Sequence, residues 1–330
     1  MKRIYVKALV LAGICLGAFP AVAQGPMQVR FVSASAGSAW TSYSAGMVDM
    51  ITPKLPEGSG FAVQGVPGAI ASIKLLQGGQ ADIGFGFAHT SAAACSGTGI
   101  FKEKHDKLRA LIGGLDAYYF GTFVTKKSGV TTWEEIAEAK NKFWLLTLKP
   151  GAMGEQGVRQ VLNLLGSSVE TVIGKGGFVE ATGRSTTARQ IKDGLAEGWA
   201  SNFTRGHPTA TQVTNLNDMI ALPLPDSVIA GMIEKHGWIE AVMPANTYRG
   251  QTDPVKTVKA VTNILAASSL PDDVAYTITK TIMENAANLP KFHVALGDFD
   301  PKRAAEPILN GYCPLHPGAA RYFKEAGLLR

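Results

Sequence analysis

The chain predicts an α/β fold of two similar lobes, each a mainly parallel sheet flanked by helices, with a ligand cleft between them. Three observations carry this. Short apolar, β-rich runs alternate with runs of helical period. The same layout recurs in the second half of the 330 residues. The connections from strand to helix are small and polar.

In order, Val29 to Ser33 reads as a strand. Ser44, Met47, Val48 and Ile51 then recur at i, i+3, i+4 and i+7, a helix face that Pro53 stops. Phe61 to Gln64 is a second strand. Ala69, Ile73 and Leu76 mark a helix ending at Gly78-Gly79, and Ile83 to Phe87 is a third strand. Tyr118 to Thr125 is expected to cross between lobes, and Val255 to Ala266 to return.

In the second half, Phe143 to Thr147 reads as a strand, and Val158, Val161, Leu162 and Leu165 as a helix face. Thr171 to Ile173 is expected as a strand, with Gly174-Lys175-Gly176-Gly177 as the turn after it. Ala188, Ile191 and Leu195 line a helix running to the strand Trp199 to Phe203. Ala71 through Phe85 and Arg189 through Phe203 thus share one order: helix, glycine turn, strand. Asp272 and Asp273 after Pro271 are expected to cap a later helix.

Met1 to Lys7 is basic, Ala8 to Val22 is apolar, and Ala21-Val22-Ala23 is a small-x-small site. This predicts a signal peptide, cleaved after Ala23, and a periplasmic product. The leader takes Lys2, Arg3 and Lys7 and no acid from a formal charge of +6, so the remainder is only mildly basic. That balance gives no sign of nucleic acid or of a membrane surface. Cys95 and Cys313 remain; an oxidising compartment lets them pair, and two buried thiols are the favoured alternative.

No nucleophile elbow, phosphate loop, C-x-x-C pair or H-x-x-x-H spacing occurs. No catalytic set, metal site or cofactor is therefore expected. What recurs is a strand, a small polar loop and a helix start. Such loops lie beyond the carboxyl ends of parallel strands, where ligands bind. A helix N-terminus with free N–H groups can hold a carboxylate, and small residues let it approach. The candidate ligand-binding residues follow. In the first loop they are Gly37, Ser38, Ala39 and Trp40, with Tyr43 one turn on. Pro67, Gly68 and Ala69 form the second loop, and His89 and Thr90 the third. The second lobe adds Gly151, Met153, Gly154 and Glu155, then Arg184 and Ser185, then Asn202 and Arg205. Either arginine can grip a carboxylate with two parallel hydrogen bonds. The Trp40 indole is expected to form a cleft wall covered on closure; packing beneath the loop is the alternative.

Gly37-Ser38-Ala39-Trp40, Gly78-Gly79-Gln80-Ala81-Asp82-Ile83-Gly84-Phe85 and the tail Pro314-Leu315-His316-Pro317-Gly318-Ala319 occur in that order. Between them stand Ser128-Gly129-Val130 with Glu135, and Pro244-Ala245-Asn246-Thr247-Tyr248. In this order the chain resembles the TAXI family, receptors of one branch of the TRAP transporters, from about Val29 to Glu325. The resemblance implies a two-lobe periplasmic binding protein fold, type II-like. It implies capture of a small organic acid or amino acid, no nucleotide or other cofactor, no catalysis, and delivery to membrane permease subunits. Residues 1–23 are then the signal peptide, 24–121 with 251–330 the first lobe, and 122–250 the second. A monomer is expected. A solute sensor for a signalling partner, or an enzyme on the same scaffold, are the alternative classes.

Overall fold

The computed structural model describes residues 25–34, 38–139, 142–150, 152–181 and 186–329. The leader and its cleavage site at Ala23 lie outside the described residues. In chain order the elements are β1 (Gln28–Ala34), α1 (Ala39–Ile51), β2 (Gly60–Val66), α2 (Ala69–Gln77), β3 (Ile83–Phe87), α3 (Ala88–Ser96), β4 (Leu108–Ile112) and β5 (Tyr118–Thr125). Then come α4 (Trp133–Ala137), β6 (Trp144–Thr147), α5 (Met153–Leu164), α6 (Val169–Gly174), β7 (Phe178–Ala181), α7 (Thr187–Lys192), β8 (Gly198–Phe203) and α8 (Pro208–Leu216). The chain ends with β9 (Met219–Ala221), α9 (Asp226–His236), β10 (Ile239–Met243), β11 (Val255–Ala260), β12 (Thr262–Ala267), α10 (Asp272–Glu284) and α11 (Pro317–Glu325).

Two sheets result, as the alternation predicts. The first has five strands in the order β2-β1-β3-β12-β4. The second has seven, β10-β11-β5-β8-β6-β7 with β9 on β5. Both are mixed. β1, β2 and β3 are mutually parallel, and so are β6, β7 and β8. Strands reached by passing from one sheet to the other run against these: β12 beside β3 and β5 beside β8. β5 lies wholly in the second sheet. On the return, β11 belongs to the second sheet and β12 to the first, so the chain passes at Val261. The two passages are tied together, Leu115 N–H donating to Thr262 O at 3.0 Å and Thr262 N–H to Asp116 Oδ1 at 3.0 Å.

The helix faces read from periodicity are the buried ones. α1 buries Tyr43, Ser44, Met47 and Ile51 against the first sheet, and α2 buries Ala69, Ile73 and Leu76. Three local expectations fail. Thr171 to Ile173 lies in α6, because the Ser168 side chain accepts from Thr171 N–H at 3.0 Å and starts a helix there. The strand falls after the glycine turn, at β7. At α10 the N-cap is Pro271, and neither aspartate caps with its side chain. They sit in the first turn, where the helix dipole favours them. Leu195, expected on a helix face, is exposed beyond the end of α7.

Cys95, at the end of α3, is bonded to Cys313, across 218 residues with Cα atoms 5.5 Å apart. The favoured expectation of free thiols is thereby corrected. The tail brings Cys313 there because it runs along the edge of β4: Ala110 N–H donates to Pro314 O at 2.8 Å, and His316 N–H to Ala110 O at 2.9 Å. A closure of this span limits the unfolded chain, so the Cys95→Ser/Cys313→Ser variant should lose roughly 2–5 kcal/mol of stability. Equal urea midpoints for the variant and the oxidised parent would contradict it. Among the described residues no helix is long and apolar enough to cross a membrane.

Candidate functional site

The carboxyl ends of β1, β2 and β3 face those of β6 and β8 across a cavity of about 330 Å³. It is within the range usual for small-ligand sites. From the first sheet come Ala34 at the end of β1, Val66 at the end of β2, and Phe87 at the end of β3. Tyr118, the first residue of β5, closes one side. From the second sheet come Leu148 and Lys149 after β6, Ala152, Met153 and Gln156 at the start of α5, and Asn202 in β8.

Four helices begin on this cavity: α1, α2, α3 and α5. At α1 the Ser38 hydroxyl accepts from Trp40 N–H at 3.4 Å. The other three N-caps are Gly68, Phe87 and Ala152, none of which has a side-chain cap bond. Ser, Thr, Asp or Asn normally occupies such a position and satisfies one of the free N–H groups. The positive ends of all four helices lie at the cavity, although at the start of α3 the Ala88 N–H donates to Val261 O at 3.0 Å. Gly68 holds φ 96° and ψ −172°, a backbone only glycine adopts readily, and that turns α2 onto the site. Lys149 adds an exposed ammonium at the rim. The body of the cavity is apolar: Trp40, Phe87 and Tyr118 pack ring to ring, with centroids 4.8 Å apart for Trp40–Phe87 and 5.0 Å for Phe87–Tyr118.

Of the residues proposed from sequence, Ser38, Trp40, Pro67, Gly68 and Ala69 line the cavity from the first sheet, with His89 and Thr90 from α3. Met153 and Asn202 line it from the second. Gly37, Gly151, Arg184 and Ser185 lie outside the described residues. Five others stand elsewhere. Ala39 is buried beside the wall. The Tyr43 hydroxyl points into the core and donates to Asp116 Oδ2 at 2.8 Å; burial first, then that carboxylate, pushes its phenol far above its usual range. Gly154 packs on Ser201 of β8. Glu155 is buried and paired with Arg159, one turn along α5. Arg205 reaches away to Asp298, Nη2 to Oδ1 2.5 Å. Sequence reasoning missed Phe87, Tyr118 and Lys149. Phe87 and Tyr118 end or begin apolar strands, and only strand direction reveals that an end faces a cleft.

His89 lies between the Phe87 ring, at 6.1 Å and 20°, and the Trp238 ring, at 5.3 Å and 15°. Burial, and secondarily the nearby His236, lowers its pKa to about 4. It is therefore neutral at pH 7. The unfolded imidazole titrates near 6.5, so acid favours the unfolded chain. Stability present above pH 6.5 should fall by about 2–3 kcal/mol between pH 7 and 4.5 from this group alone. Asp116 acts oppositely: burial raises it to about 6, so its contribution is full below 3.8 and lost as pH rises through 6. Comparing parent with His89→Gln isolates the histidine. Parallel stability–pH curves for the two would show that His89 does not titrate this way.

Solved structures share this architecture. MatC (Rpa3494) from Rhodopseudomonas palustris with bound malate is 13% identical, with TM-score 0.55 over 93% of this chain and 99% of that one. The periplasmic binding protein BugD is 15% identical, with TM-score 0.54 over the same shares, 93% and 99%. R. palustris Rpa4515 with adipate is 11% identical, with TM-score 0.51 over 92% and 97%. Identities this low establish the fold, that of periplasmic binding proteins. The sequence itself carries the kinship further: a single family model runs from residue 31 to residue 327, through both sheets and the tail, and by that match the chain belongs to the NMT1-like family.

Proposed function

We propose that this protein is an extracytoplasmic solute receptor that captures a small anionic solute, an organic acid or amino acid, in the cavity between its sheets. The observation that carries this is the set of four helix starts, after Ser38, Gly68, Phe87 and Ala152, gathered on one cavity rimmed by Lys149. The positive helix ends favour a carboxylate there. The ordered TAXI-like motifs support delivery to a TRAP-type permease, and the leader-like N-terminus supports a periplasmic location. MatC and Rpa4515, which share the fold, were solved with malate and adipate. The proposed lobes are 24–121 with 251–330, and 122–250; β5 from Tyr118 and β11 at Val255–Ala260 pair in the second sheet, which favours moving both boundaries to the passages beside them.

A thermal-shift screen of short carboxylates at low salt tests the reading, since a ligand that binds only the folded state raises its melting temperature. Carboxylates should stabilise the protein, and Lys149→Ala should weaken their binding roughly 10-fold by removing one charge-assisted contact. Stabilisation by neutral sugars or cations alone would refute anion capture. With the permease in vesicles, uptake should require this protein and an ion gradient; uptake driven by ATP would refute the TRAP assignment.

A further inference from the structure

We propose that the cavity selects carboxylates whose carbon body is apolar and carries no ammonium group, so that it binds deaminated acids and rejects the matching amino acids. This rests on the receptor reading above and narrows its ligand class. Among the described residues that line the cavity there is no aspartate or glutamate. Residues 35–37, 151 and 182–185, outside the described residues, contain no acid in sequence. Two acids close in the chain to lining residues are committed elsewhere: Glu155 is paired with Arg159, and Asp116 accepts from Tyr43 and Thr262 in the core.

An α-amino acid brings an ammonium that loses its water on entry. Without a carboxylate partner that loss is offset only by neutral acceptors such as the Asn202 amide oxygen. The local field opposes it further, because the helix starts and Lys149 are all positive. The aromatic wall of Trp40, Phe87 and Tyr118 offsets this only in part, since the attraction of a ring face for a cation is modest. That surface, continued by Val66 and Ile70, suits a hydrocarbon chain or ring. The neutral amide of Asn202 is placed to orient a second oxygen of the ligand.

Matched pairs provide the test: glutarate against glutamate, and 3-phenylpropionate against phenylalanine, by calorimetry on the whole mature protein. In at least one pair the deaminated acid should bind on the order of 100-fold more tightly. Asn202→Asp, which places a carboxylate in the wall, should narrow that ratio by at least about 10-fold. Equal or tighter binding of the amino acid in every pair overturns the inference and leaves the receptor reading standing. If no acid of either kind binds, both fail. A primary amine in the solute released from protein purified without denaturation would overturn the inference alone.

Discussion

Replacing Gly318 by alanine should destabilise the protein by at least about 3 kcal/mol, more than most single methyl additions. Gly318 opens α11 where that helix lies on the start of α10. A Cβ there would overlap the Asp272 carbonyl oxygen and stand 2.7 Å from the Tyr276 amide nitrogen. Both are backbone atoms of a packed helix, so neither can swing aside. The residues around Gly318 serve the same contact. His316 caps α11, its Nδ1 accepting from Gly318 N–H at 3.3 Å. Pro317 occupies the first helical position, where a missing N–H costs nothing. Arg321 lies over the Tyr276 ring at 4.2 Å and pairs with Asp273 at 2.8 Å. Urea denaturation of Gly318→Ala and of the exposed control Gly174→Ala, where a Cβ meets nothing within 4 Å, should separate the two clearly. A loss under 1 kcal/mol at Gly318 would mean that α11 can slide on α10.

Trp40→Ala should cost about 3–5 kcal/mol of stability in the unliganded protein, the range for deleting a large buried ring. The sequence reading expected a movable wall and little loss. The structure corrects that: Trp40 is 2% exposed, and its Nε1–H donates to Thr262 Oγ1 at 3.0 Å. Its ring packs on Phe85 and Phe87 at 5.3 and 4.8 Å. Thr262 begins β12, immediately after the chain re-enters the first sheet. The indole therefore braces α1 against the passage between sheets while one edge faces the cavity. Trp40→Phe keeps much of the apolar volume but strands the Thr262 hydroxyl, and should lose only about 1–2 kcal/mol. Trp40→Ala with unchanged unfolding free energy but weakened carboxylate binding would restore the movable-wall reading.

These two cases show why the most recognisable motifs proved structural. Asp82, in the Gly78-to-Phe85 motif, accepts from Arg30 N–H and its guanidinium and fastens β1 beside the α2–β3 turn. Glu135 completes a capping box with Thr132 at the start of α4. Tyr248 is buried, and its hydroxyl donates to Thr204 O at 2.6 Å, anchoring the loop after β8. Each such residue must fit a backbone at one fixed distance, so few substitutes serve. The cavity wall is built differently, from helix starts and strand ends whose side chains are ordinary.

By itself the sequence determined the alternation of strand and helix, the buried faces of α1, α2 and α5, the two-lobe layout and several of the loops that reach the cavity. Those features have short periods, because a helix face repeats within four residues and a strand face within two. Tertiary structure alone decided what depends on segments far apart in the chain. It paired Cys95 with Cys313, sank Trp40 against Thr262, and turned Arg205 away from the cavity to Asp298. It also set the passage between sheets at Val261, which no local pattern marks. Each of these outcomes follows from the packing of the whole chain, in which a side chain takes the partner that two sheets and their crossings bring to it.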